Sequence, residues 1–195
     1  KKSLDITDLE TIGGIRDKVV FKLIHSEKNR ALLKEIPHRE ILDLSIVFYL
    51  IVDMEERSTA TILIRNEHLK VWGMDEEQLL SFAYDNLFEY PENLKGEFMY
   101  VLTNSHRNLG AAAILYPGVQ KKIAEILNGG YYVIPSSVHE MIIVPMTESI
   151  TRKELDQMVK EVNENVVDPE EILSDHVYIY DAGKEVLQWV FSSRI

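Results

Sequence analysis

Two serines, a histidine and a glutamate stand almost side by side in the stretch "YYVIPSSVHEMIIVP" at residues 131–145. Ser136 or Ser137 could act as a nucleophile, His139 as a general base, and Glu140 as an acid or as the group that orients the imidazole. That chemistry needs the imidazole within reach of the hydroxyl, a third group holding the imidazole, and amides to receive an oxyanion. Ser137 and His139 are two residues apart, so an extended chain places them on one face and Glu140 on the other. Neither serine sits in a G-x-S-x-G elbow, and the turn contains no glycine. A structural role accounts for the same residues. Pro135 ends a strand, the hydroxyls satisfy turn amides, and Glu140 begins the return strand. A second cluster, Asp175 and His176 in "SDHVY", could join His139 in space, or could hold a turn at the start of another strand. Ser136, Ser137, His139, Glu140, Asp175 and His176 are therefore the candidate residues, and the sequence commits none of them to a catalytic role.

Other chemistries find less support. His25, His38, His68 and His106 are scattered, without the H-x-x-x-H or H-E-x-x-H spacing of a metal site. There is no cysteine, which excludes disulfides, thiolate metal sites and cysteine nucleophiles. The glycine pairs in "IGGI" and "NGG" belong to neither a P-loop nor a dinucleotide fingerprint. The acidic stretches lack the spacing of a calcium loop. No cofactor and no metal are expected.

The totals narrow the partners. The 195 residues, 46% of them hydrophobic, suffice for a buried core. The net charge of −11 repels phosphate backbones and anionic headgroups, so nucleic acid is not an expected partner. The longest apolar run, "SIVFYLIV", falls far short of the roughly 20 residues that cross a bilayer, so no membrane span is expected. A protein partner stays open. The opening "KKSLDITDLE" reads as the start of a fragment of a longer protein, and a cytoplasmic location is expected.

Helices that could position these residues are marked by their caps. "MDEEQLLSFAYDNL" pairs Asp75 with Gln78 in a capping box and aligns Leu79, Phe82, Ala83 and Leu87. "SITRKELDQMVKEV" pairs Thr151 with Glu154 and aligns Leu155, Met158, Val159 and Val162. "PGVQKKIAEILNGG" opens with Pro117 in its first turn, buries Val119, Ile123, Ile126 and Leu127, and stops at Gly129. "SEKNRALLKEI" reads as a further helix, and "DPEE" as a single helical turn.

Strands read from the apolar runs. "VVFKLI" is one; "LSIVFYLIV" is apolar on both faces and pairs with "TATILIR". Three hairpins follow: "EFMYVLT" with "LGAAAILY", "YYVI" with "EMIIVP" across "PSSVH", and "HVYIYD" with "EVLQWVF" across "AGK", where Gly183 supplies positive φ. Two of these hairpins lead directly into helices as β-β-α units. The pattern predicts an α+β fold, a largely antiparallel sheet built from hairpins with packed helices. One compact domain over 1–195 is expected, with subregions 1–92 and 93–195 meeting near "EYPENLKGE".

"NRALLKEIPHREILDLSIVFYLIV", "ATILIRNEHLKVWGMDEEQL", "MYVLTNSHRNLGAAAILYPGV", "YYVIPSSVHEMIIVP" and "EVNENVVDPEEILSDHVYIYD" are similar to the bacterial domain-of-unknown-function family 5688 of gut Clostridia. The chain resembles the C-terminal two thirds of a typical member, with a link at 92–97 shortened as if a loop were omitted. The resemblance implies a cytoplasmic bacterial protein and brings no activity, substrate or catalytic residue with it. The leading reading is a non-enzymatic binding or regulatory module. The alternatives are a hydrolase-type enzyme using "PSSVHE" and a partner-binding structural protein.

Overall fold

A computed structural model describes residues 9–55, 58–86, 99–104, 107–146, 150–165 and 167–189. The expected boundary near 91–96, the shortened link at 92–97, His106 and Leu87 lie outside those residues. The described elements form an α+β fold with two sheets, and the chain divides into two compact units. The first comprises Lys1–Ile41 and Ser45–Leu87, the second Leu42–Leu44 and Phe88–Ile195.

The first unit is built on strands β1 (Val19–His25), β2 (His38–Ile41), β3 (Leu44–Glu55) and β4 (Ser58–Leu63), in the order β1-β3-β2 with β4 also pairing with β3. Strand β3 is central, and Ser45, Ile46, Val47, Phe48, Tyr49 and Leu50 are all buried, as a run apolar on both faces requires. It pairs antiparallel with β4, with a register shift between Ile51 and Asp53. Short helices α1 (Ile12–Ile15) and α2 (Arg30–Leu33) precede α3 (Asn66–Trp72) and α4 (Glu76–Asp85). The expected capping box forms at α4: Gln78 N–H donates to Asp75 Oδ1 at 2.9 Å, and Asp75 N–H to Gln78 Oε1 at 3.0 Å. Leu79 and Ala83 are fully buried, whereas Phe82 is only half-buried. The helix read from "SEKNRALLKEI" is a single turn, the four residues of α2.

The second unit holds β5 (Tyr100–Leu102), β6 (Tyr131–Ser137), β7 (Glu140–Pro145), β8 (Tyr178–Asp181) and β9 (Val186–Trp189), in the order β5-β7-β6-β8-β9 with every pairing antiparallel. The second and third expected hairpins form as β6–β7 and β8–β9. The first does not: "LGAAAILY" folds as a 3-10 helix over Gly110–Leu115, and β5 pairs with β7 instead. A short, wholly apolar run fits a buried helical segment as well as a strand, and contacts elsewhere decide.

Helices α5 (Val119–Leu127) and α6 (Arg152–Asn165) complete this unit. The box at α6 closes as expected, with Thr151 N–H donating to Glu154 Oε2 at 2.8 Å and Glu154 N–H to Thr151 Oγ1 at 3.4 Å. Leu155 and Val159 join Ile134, Val144 and Val177 in a buried cluster, flanked by the partly buried Met158, Ile142 and Ile150. Tyr131, Val133, Met141 and Ile143 alternate with that set and are also buried, so the centre of the sheet is covered on both faces. In α5 the N-cap is Gly118 at φ 79°, which leaves Pro117 ahead of the helix, and Ile126 is 48% exposed rather than buried. Positive φ in the β8–β9 turn falls on Glu185, not Gly183. "DPEE" closes one turn, Glu171 N–H donating to Asp168 O at 2.8 Å.

Candidate functional site

The "PSSVHE" segment is the tip of the β6–β7 hairpin, but it is not a free turn. Pro135 does not end the strand. Strand β6 runs on to Ser137, which pairs with Glu140, and the register shifts between Ile134 and Ser137 to take up the extra residues. Val138 and His139 make the turn, and neither has the positive φ that two-residue hairpin loops usually need. The turn is held from outside instead. Val138 N–H donates to Glu171 O at 3.0 Å, and Val138 O accepts from Ala111 N–H at 3.2 Å. His139 N–H donates to Ser137 Oγ at 3.1 Å, and His139 O accepts from Thr103 Oγ1 at 2.7 Å.

The imidazole is equally committed. Nδ1 accepts the Leu109 N–H at 3.0 Å, and Nε2 lies 3.1 Å from Glu171 Oε1. A nitrogen that accepts an amide proton carries none itself, so the ring is the neutral tautomer with its proton on Nε2, directed at the Glu171 carboxylate. Leu109 reaches this nitrogen from a left-handed conformation, φ 53°, an unusual state for leucine. The adjoining Gly110 is required by close approach: a Cβ there would lie 2.1 Å from Thr103 Oγ1, 2.6 Å from Asn104 N and 2.8 Å from His139 O. The tip thus fastens Thr103, Leu109, Ala111 and Glu171 to the sheet.

Of the candidate residues, Ser137, His139 and Glu140 are together, but the serine meets the backbone of His139 and not its ring. Ser136 is buried beside them. The carboxylate on the imidazole is Glu171, not Glu140, and the sequence signals no link across 32 positions. Asp175 and His176 form a second Ser-x-His turn, with His176 N–H donating to Ser174 Oγ at 3.0 Å, an echo of Ser137 and His139. Asp175 Oδ1 accepts from Asn163 Nδ2 at 2.9 Å. Ser174 and Tyr178, both fully buried, donate their hydroxyl protons to the Asp43 carboxylate. Burial first, and then Asp43, push the Tyr178 phenol far above its ordinary range, so it is a permanent donor. No group of three or more His, Asp or Glu that could hold a metal occurs among the described residues.

A concave feature of the second unit lies elsewhere. A cavity of about 290 Å³ is bounded by Leu115, Tyr116, Pro117, Gly118, Gln120, Lys121, Tyr180 and Glu185. The first turn of α5 is anchored beneath it. Gln120 Nε2 donates to Ile114 O at 3.0 Å, and Gln120 O accepts from the Tyr131 hydroxyl at 3.0 Å. Tyr131 stacks on Tyr180 with ring centroids 5.0 Å apart, 17° from parallel. Burial, followed by the Glu185 carboxylate, raises the Tyr180 phenol, and burial raises Tyr116. At the rim Lys121 Nζ lies 3.3 Å from Glu185 Oε1. Glu185 is held at φ 52° by a turn in which Gly183 N–H and Lys184 N–H both donate to Asp181 Oδ1, at 2.9 and 3.1 Å. Those amide bonds, that of Lys184 first, hold the Asp181 carboxyl below its ordinary value. None of these lining residues was a candidate site residue by sequence, where Pro117 alone was named and only as a helix opener, because their signal is spatial.

The chain belongs to a family of unknown function, DUF5688, which it matches over residues 1–95 and 88–182. No curated protein and no solved structure matches it. No described helix is long and apolar enough to cross a membrane.

Proposed function

We propose that this member of DUF5688 is a non-enzymatic module that binds a small polar molecule in the cavity formed by the 3-10 segment, α5 and the β8–β9 turn. The observation that carries the reading is the cavity itself: a concave site where two tyrosines, a lysine and a glutamate converge on anchored backbone, polar groups able to orient a small ligand. Its volume is at the lower end of the few hundred Å³ typical of such sites, so the ligand is of metabolite size. The residues most suited to catalysis are occupied in holding the fold. His139 has no nitrogen left to take a proton from Ser137. Ligand-detected NMR of the intact chain against mixtures of small polar metabolites tests this. Binding lost in Tyr180→Ala supports it, and binding that survives the substitution unchanged refutes the cavity as the site.

The hydrolase reading keeps one point in its favour, the carboxylate of Glu171 on the imidazole of His139, as a base and its orienting group would be arranged. A serine-directed fluorophosphonate decides it. No labelling of Ser136 or Ser137 is expected; stoichiometric labelling abolished by His139→Ala in folded protein makes the tip an active site.

A further inference from the structure

The rim of the cavity carries one charge of each sign. Lys121 projects from the first turn of α5 and Glu185 from the β8–β9 turn, and their charged atoms are 3.3 Å apart. Both side chains are 61% exposed, and an exposed ion pair of this kind holds together only weakly, so a ligand that offers each partner an opposite charge can part it cheaply. The positive end of the α5 dipole adds to Lys121. A purely anionic ligand would meet Glu185, and would also be repelled by a chain of net charge −11. A purely cationic one would meet Lys121 and the helix terminus.

The Glu185 backbone supports the same assignment. At φ 52° it occupies a conformation that asparagine, aspartate or glycine adopts far more readily than glutamate. A turn needing only that shape would be served better by one of those shorter residues. What glutamate adds is a carboxylate at the cavity rim. Beside the pair, Leu115, Pro117 and the rings of Tyr116 and Tyr180 add apolar lining, and the two phenols stay protonated as neutral hydrogen-bonding groups.

We infer that the cavity binds a zwitterion of amino-acid size, its carboxylate on Lys121 at the N-terminal end of α5, its ammonium on Glu185, and its side chain against Tyr116 and Tyr180. This rests on the binding reading above. The test is NMR chemical-shift titration of the isotope-labelled full chain with three probe sets: free L-amino acids, their N-acetyl derivatives, which lack the ammonium, and their methyl esters, which lack the carboxylate.

For at least one side chain, the free amino acid is expected to shift the resonances of Lys121, Tyr180 and Glu185, with each blocked derivative weaker by about threefold or more, as loss of one ion pair at an exposed rim entails. Glu185→Gln should abolish discrimination against the N-acetyl form while keeping discrimination against the ester. Lys121→Gln should do the reverse. Blocked derivatives that bind as well as the parent overturn the zwitterion assignment. If neutral or singly charged small molecules shift these residues while free amino acids do not, the ligand class is wrong and the cavity stands. If no small molecule shifts them, both readings fail.

Discussion

Replacing His139 separates the two bonds of its ring. In His139→Ala the Leu109 amide, partly buried, loses its acceptor, at a cost of about 1 to 2 kcal/mol. The bond to Glu171 is worth less, about 0.5 kcal/mol, because water reaches both partners; the side chains are 33% and 40% exposed. The total of roughly 2 kcal/mol would lower the melting temperature by several degrees in a chain of this size. Two further substitutions divide that sum. In His139→Asn the side-chain oxygen takes the place of Nδ1 and can still accept from Leu109, so only about 0.5 kcal/mol should go. His139→Gln can reach Glu171 with its amide nitrogen but has no acceptor at the Nδ1 position, so most of the loss should remain. Urea denaturation measures the energies, and hydrogen exchange at the Leu109 amide gives a local reading that should accelerate in the Ala and Gln variants but not in Asn. A loss below about 0.5 kcal/mol for Ala, or a Gln variant more stable than Asn, would refute the tautomer and the bonding assigned to this ring.

Gly110→Ala should destabilise by about 3 kcal/mol or more, beyond the ordinary cost of overpacking, since two of the three clashing atoms are backbone. Adding Thr103→Ala should recover only a part, and calorimetry showing full recovery would contradict that geometry. Leu155→Ala, at a fully buried position of α6, should cost about 2 to 5 kcal/mol in denaturant titrations, and a loss under about 1 would deny it a place in the core. Glu154 is held below its ordinary pKa of 4.5 by the Thr151 backbone N–H and then the Thr151 hydroxyl. Its contribution is therefore complete above that value and is lost as pH falls through the lower folded one. Glu154→Gln should flatten the acid limb of the stability curve in this range; an unaltered limb would show that the capping carboxylate does not titrate as described.

What could be read from sequence was what is encoded within a few residues. The boxes of Asp75 with Gln78 and Thr151 with Glu154 span three positions, and both form. The hairpins β6–β7 and β8–β9 were legible because each sets apolar strands around a short polar turn. Strand β2 was missed because "HREI" has no alternating apolar pattern, and α3 because "NEHLKVW" lacks a conventional N-cap residue, although Gly73 marks its end. The 3-10 segment was misread because its shape answers to the backbone of Val138 and His139, distant in sequence. The site followed the same rule. Ser137 capping its own turn was visible, whereas Glu171 on His139 and Glu185 beside Lys121 depend on contacts across the fold.

The two hairpin turns are also unequal as places to cut or extend the chain. Tips of this kind ordinarily accept inserted tags and new termini, because their backbone groups bond locally or to water. Ala182, Gly183 and Lys184 are exposed, and the amides of Gly183 and Lys184 are held by Asp181 in the same turn. Between Val138 and His139 the backbone groups serve Glu171, Ala111 and Thr103, which lie far away in sequence. An epitope inserted there would pull apart segments that this turn holds in register, whereas one inserted after Gly183 would leave them joined and disturb the Lys121 and Glu185 rim alone.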